Sequence, residues 1–172
     1  MSIPLATIKN ALKITYTEDD SELVRLREAA VALVERRTGV ALERRTETLY
    51  LTAWVDALIP VAPFVSLASV QYTDSAGAVQ TMPAADYWID RSDGPNPILR
   101  FLAMPARKEG TAITVTYTAG HLALPNEIAH CCIALVGAWY NNPEAFQNVG
   151  LTVVPLSVEF ILETIDARSP MR

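Results

Sequence analysis

The chain is short of charge, glycine, cysteine and histidine. Charged residues make up 19% of its 172 residues, below the roughly 25% of an average globular chain. Lys and Arg number 14 against 19 Asp and Glu, and the net charge of −5 excludes a basic nucleic-acid module. The seven glycines are scattered singly, so neither a G-x-G-x-x-G nor a P-loop is present to cradle a phosphate, and the nucleophile motif G-x-S-x-G is missing as well. The two cysteines, Cys131 and Cys132, are adjacent within a helical pattern. Helix neighbours point about 100° apart, which makes a disulfide between them geometrically poor and favours synthesis in a reducing cytosol. A membrane-spanning helix needs about 20 nearly continuous apolar residues. Ala57–Val70 is too short and carries Pro60 and Pro63, and Ile128–Tyr140 contains His130 and stops at Asn141-Asn142-Pro143. No basic stretch followed by an apolar one opens the chain, so no signal peptide is expected.

Apolar residues are plentiful, at 51%. That level excludes intrinsic disorder. The length fits one domain with a core large enough to need no metal or disulfide. Apolar surface left over from such a core points to burial against neighbouring subunits.

The periodicity predicts an α+β fold in the order helix, helix, sheet, helix, helix. Leu5–Ile14 reads as a short helix. Thr17 to Glu22 supplies capping side chains and acidic residues for the start of a second helix, which runs to Thr38 and stops at Gly39. Leu23, Leu26, Ala30, Leu33 and Val34 are its core stripe. Thr46–Leu51 reads as a strand. Val65–Tyr72 and Val79–Met82 flank the turn Asp74-Ser75-Ala76-Gly77 as a hairpin, and Tyr87–Ile89 and Ile98–Phe101 flank a second one. Ala112–Thr118 alternates Ile113, Val115 and Tyr117 with three threonines, as a half-buried strand does. These segments are expected to form one small antiparallel sheet. Pro125 opens a helix with Ile128, Cys132, Leu135, Val136 and Trp139 on one face, and Pro155 opens a last helix with Val158, Ile161, Leu162 and Ile165.

Chemistry-bearing residues are sparse. His130 lies beside Cys131 and Cys132 and one turn after Glu127, but both thiols cannot face it and no second Cys/His pair has zinc spacing. A core helix face with His130 at its edge is the plainer reading. His121 follows Ala119-Gly120 as a turn residue, with no acid identifiable to orient it as a base. Glu18, Asp19, Asp20 and Glu22 serve as caps. Asp90, Asp93 and Asn96 lack the spacing and the terminal Glu of a calcium loop and suit a turn. Arg36, Arg37, Arg44 and Arg45 form the densest cationic cluster, but Glu35, Glu43 and Glu47 interleave with it, which favours salt bridges or subunit contacts over phosphate. Trp54 and Trp88 suit either interface anchors or core.

The ordered series of segments resembles the head–tail connector, or head-completion adaptor, family of tailed phages. The resemblance is carried by Leu5-Ala6-Thr7-Ile8-Lys9-Asn10-Ala11-Leu12 before Glu18-Asp19-Asp20, by the exit Thr38-Gly39-Val40-Ala41-Leu42, and by Val65–Tyr72 with Asp74 and Gly77. Ala85-Asp86-Tyr87, Val115-Thr116-Tyr117-Thr118-Ala119-Gly120, Ala138-Trp139-Tyr140-Asn141-Asn142-Pro143 and Pro155-Leu156-Ser157-Val158 continue it over nearly the whole chain. One departure stands at Ile165-Asp166-Ala167-Arg168, where the family often ends in a Tyr-Arg pair.

The resemblance implies a single connector domain over 1–172: N-terminal helices over 1–42, a β-hairpin insertion over 43–120, a core helix and loop over 121–154 and a C-terminal docking helix over 155–172. The architecture it implies is a bundle of about four helices with an inserted small antiparallel sheet. It further implies a non-enzymatic virion protein without cofactor or metal, made in the host bacterial cytoplasm, in a phage, prophage or gene-transfer particle. About a dozen copies would form a ring beneath the portal, continue the DNA channel and receive a stopper or tail-completion protein. Such a ring would carry on the order of −60 charges, so DNA would pass without sequence-specific binding. Portal docking is expected from Val158, Phe160, Ile161, Ile165, Arg168 and Met171, and subunit contacts from Arg36, Arg37, Arg44, Arg45, Trp54 and Trp88. Deleting 155–172 is expected to abolish portal binding and leave the fold intact. The competing readings are a soluble oligomeric scaffold and a small enzyme with an unrecognised site.

Overall fold

Residues 3–92, 96–142 and 156–165 are described by the computed structural model, and they fall into two units. A helical unit is drawn from the chain before Arg44 and after Gly120, and a β unit from Arg44–Gly120. The helical unit holds four helices among the described residues: α1 (Leu5–Leu12), α2 (Asp20–Thr38), α3 (Asn126–Asn141) and α4 (Leu156–Ile165). α1 packs on α2 and α3, and α4 packs on the same two helices.

Helix ends follow local chemistry. α2 stops at Gly39, whose left-handed φ of 69° returns its N–H to the Glu35 carbonyl at 2.9 Å. α1 ends at Leu12, short of the expected Ile14, because Lys13 turns left-handed with φ 58°. A lysine pays about 1–2 kcal/mol for that conformation. The turn delivers the Ile14 N–H to the Lys9 carbonyl at 2.9 Å and buries the Ile14 side chain.

The acidic run before α2 does not cap it. Asp19 occupies the N-cap but makes no side-chain cap bond. Its carboxylate accepts from the Tyr140 hydroxyl at 2.5 Å instead, and Tyr140 also bonds the Tyr16 hydroxyl at 2.8 Å. Asp20 pairs with Lys9 at 2.6 Å, and the Lys9 ammonium also donates to the Tyr16 carbonyl. Local capping loses here to partners brought in by α1 and α3. These bonds tie the α1–α2 connection to the end of α3.

The helical core lies where the stripes meet. α2 buries Leu23, Leu26, Ala30 and Val34, and α3 buries Ile128, Cys131, Cys132, Leu135, Val136 and Trp139. Gly137 admits α1 closely: a Cβ there would stand 2.9 Å from the Leu12 Cδ2. Thr38 donates to the Val34 carbonyl, and Glu35 accepts the Leu42 N–H at 2.8 Å, which fixes the buried exit Val40-Ala41-Leu42.

The β unit has two sheets where one was expected. β1 (Arg45–Leu51), β7 (Ile113–Ala119), β3 (Phe64–Thr73) and β4 (Val79–Thr81) form one, in that order. β2 (Ala57–Leu58), β6 (Ile98–Phe101) and β5 (Tyr87–Asp90) form the other. All pairings are antiparallel. Val70, Ile113 and Val115 of the larger sheet share a core with Leu99 and Phe101 of the smaller, so the sheets pack face to face. Strand β7 is central in its sheet, and its alternation is strict: Ile113, Val115, Tyr117 and Ala119 are buried and the threonines between them half-buried. Burial pushes the Tyr117 hydroxyl up to about 12.

Candidate functional site

The sequence-predicted contact residues divide between the units. Arg36 and Arg37 are exposed on the last turn of α2, and Arg37 faces Glu159 of α4 at 3.6 Å. Arg44 and Arg45 are exposed at the start of the β unit, where Arg45 pairs with Glu47 at 2.6 Å. Of the interleaved glutamates, Glu47 engages Arg45, whereas Arg37 meets a glutamate from a different helix.

The two tryptophans have different surroundings. Trp54 takes the core alternative: its ring stands edge-on to Tyr72 at 5.3 Å and to Phe101 at 5.1 Å, and its Nε1–H donates to the Pro105 carbonyl at 3.0 Å. Trp88 is 46% exposed, with the Arg100 guanidinium 5.8 Å from its ring centroid.

The residues expected to dock the portal lie on or beyond α4. Val158 is 2% exposed and packs within its own helical unit, so its side chain is not presented at a surface. Ile161 is half-buried. The side chains of Phe160 and Ile165, and the whole of Arg168 and Met171, lie outside the described residues.

The candidate ligand groups do not converge. No cluster of three or more His, Cys, Asp or Glu stands in reach of one metal ion among the described residues. His130 is exposed and His121 half-buried, and burial lowers the His121 pKa. Burial pushes the Cys131 thiol up and the Cys132 thiol up to about 12. Thiols so placed are poor nucleophiles. We therefore expect a maleimide to label neither cysteine in the native chain within minutes and both in denaturant; rapid native labelling would show an open α3 face.

Asp90 sits in a polar cluster on the smaller sheet. The Ser92 hydroxyl and N–H, and then the Arg100 Nε at 2.9 Å, hold its carboxyl at about 2, below the ordinary 3.8. Arg100 also reaches Asp56 at 2.6 Å. Depression in the folded state means that this stabilisation is complete above the unfolded pKa of about 4 and is lost as pH falls towards about 2. Asp90→Asn should flatten the decline of Tm between pH 4 and pH 2; curves of equal slope for variant and wild type would contradict this assignment. Asp74 does turn work: Gln80 and the N–H groups of Ala78 and Ala76 bind its carboxylate and lower its pKa, while Gly77 takes φ 89° at the tip. None of the described helices is long and apolar enough to cross a membrane.

The fold has counterparts in solved particles. A chain in the neck of an empty gene transfer agent particle, computed with sixfold symmetry, matches 99% of this chain over 92% of its own length, with a TM-score of 0.78 at 24% identity. A chain in the virion of the native gene transfer agent particle matches with a TM-score of 0.77, and one in the native neck computed with twelvefold symmetry with 0.75, both at 24% identity and 99% coverage of this chain, over 92% and 91% of their own lengths. No family model and no curated protein matches the chain. The chain thus has the mixed helical and antiparallel β fold of those gene transfer agent chains.

Proposed function

We propose that the protein is a structural subunit of the neck of a phage-like particle, where copies form a ring between capsid and tail. The observation that carries this reading is the match of the whole fold, both units together, to chains in gene transfer agent necks. The finer reading is that about a dozen copies dock beneath a portal, continue the DNA channel and receive a stopper or tail-completion protein. The low charge content and the apolar side chains left at the surface suit a subunit flanked by neighbours. A net charge of −5 on every copy keeps phosphate from adhering to the path. The role is structural rather than catalytic, and the protein reaches the virion from the host bacterial cytoplasm.

Deleting the gene from a particle-producing strain tests the reading. The expected product is heads without tails, restored by supplying the chain in trans; a normal yield of tailed particles in its absence would overturn it. Co-sedimentation with a purified portal ring tests the finer part, and a strongly positive lumen in an assembled ring would contradict the sliding-path argument.

A further inference from the structure

Among the described residues, the exposed large apolar side chains are concentrated in one unit. Tyr50, Val55, Leu58, Val79, Trp88, Leu102 and Met104 belong to the β unit, against Tyr16 and Leu122 in the helical unit. The β unit is a two-sheet sandwich, so it has two outer faces pointing in opposite directions.

The outer face of the smaller sheet is apolar around a neutralised charge cluster. Leu99 and Phe101 point inwards, so Ile98 and Arg100 point outwards, and Leu102 continues the alternation. Leu58 pairs with Ile98 in register, and Trp88 with Arg100. Leu58 is 56% and Trp88 46% exposed. Arg100 is compensated by Asp90 and Asp56, so this face presents Trp, Leu and a pre-positioned Arg with no excess positive charge. Trp and Arg are the usual anchors of protein interfaces.

The outer face of the larger sheet differs in chemistry. Leu49 and Leu51 point to the core, so Thr46, Thr48 and Tyr50 point away from it, with Tyr50 67% exposed. Register sets Thr46, Thr48 and Tyr50 beside Thr118, Thr116 and Thr114, which stand beside Ser66, Ser69 and Gln71. No charged side chain falls on these rows. The charges on all the strands are Arg45, Glu47, Asp90 and Arg100, and they form two oppositely charged pairs.

We infer that the two outer faces of the β sandwich are the two halves of a head-to-tail contact between copies of this chain, the Trp88 face of one copy seating on the Tyr50–threonine face of the next. The occupant is a second copy because a closed ring needs two different patches on every subunit, and here two distinct faces lie back to back, the threonine face without charge and the Trp88 face with Arg100 held between Asp90 and Asp56. Like-charge repulsion, which would oppose stacking of −5 subunits through charged faces, is avoided because the threonine face carries no charge. This inference rests on the neck-ring reading. Size matters too. Seven residues at about 3.4 Å across four strands at about 4.8 Å give the larger face roughly 19 by 24 Å, and the smaller face less. That falls short of the roughly 800 Å² per partner of a standard interface, so one contact is weak and the closed ring gains from each copy making two.

The test uses four substitutions on full-length protein: Leu58→Glu and Trp88→Glu on one face, Thr48→Arg and Tyr50→Glu on the other. All four sites are exposed, and Tm within about 2–3 °C of wild type checks that each variant folds. Copies per purified particle are counted by quantitative mass spectrometry. Variants of either face should fall at least tenfold. A Leu58→Cys copy mixed with a Thr48→Cys copy at millimolar concentration should be joined by a short bismaleimide, whereas Leu58→Cys alone should not be joined to itself. Wild-type occupancy of all four variants would overturn the inference and leave the neck reading standing; absence of the wild-type chain from particles would remove the neck reading itself. Self-linking of Leu58→Cys in place of the mixed product would show a two-fold dimer and overturn the head-to-tail contact.

Discussion

Removing residues 155–172 is expected to destabilise the helical unit, contrary to the expectation that the fold would survive. α4 packs on both α2 and α3, and it contributes Val158 and Leu162, which are 2% and 5% exposed. Burying such side chains is worth about 1.5–3 kcal/mol each. Together they approach half of a marginal stability of about 5–15 kcal/mol. The exposed pair of Arg37 and Glu159 adds little beside them. The truncated chain should therefore show a lower denaturation midpoint than the full chain, with α3 amides exchanging faster because α4 no longer covers them. An unchanged midpoint would mean that α4 contributes nothing to the core. Loss of portal binding on truncation alone then does not isolate docking, because stability falls with it. Glu163, exposed on α4, offers the cleaner probe: Glu163→Arg should keep the midpoint and change portal affinity if that face docks.

Much of the fold was legible because its signals are local. Gly39 marked the end of α2, the turn Asp74 to Gly77 marked the β3–β4 hairpin, and the Ile113–Val115–Tyr117 alternation marked a strand that is central in its sheet. What was not legible depends on partners distant in sequence. Asp19 looked like a cap, but its hydrogen-bond partner, Tyr140, comes from another helix. The division into two sheets comes from β5 and β6 pairing with each other and with the two-residue β2, and strand periodicity says nothing about which sheet a strand joins. Trp54 and Trp88 were equivalent in sequence; only the placement of Tyr72 and Phe101 turned one of them inwards. Val158 belonged to an amphipathic stripe, and such a stripe serves a bundle or a docking surface equally well until its neighbours are known. The sequence offers single contact candidates such as Trp88 but not a contact face, because the outer faces of a sandwich exist only after the register is set.

Ile113→Ala should cost about 2–5 kcal/mol, the range for truncating a large aliphatic side chain in a core that cannot collapse. Ile113 is fully buried on the central strand of the larger sheet and lies in the cluster shared with Leu99 and Phe101 of the smaller one, so the cavity opens between the sheets. For a chain of 172 residues each kcal/mol shifts Tm by roughly 2–4 °C. The adjacent Thr114→Ala alters only the outer row and should move Tm far less. A similar loss at both positions would show that the alternation does not separate a core face from an outer face. The contrast also separates folding from assembly. Ile113→Ala should lower particle occupancy only as far as it lowers the folded fraction, and growth at reduced temperature should restore it. Trp88→Glu and Tyr50→Glu should lower occupancy with Tm nearly unchanged, and cooling should not restore it. Side chains that hold the sheets together and side chains that hold copies together alternate along the same strands, so a shift of one residue along β7 exchanges one defect for the other.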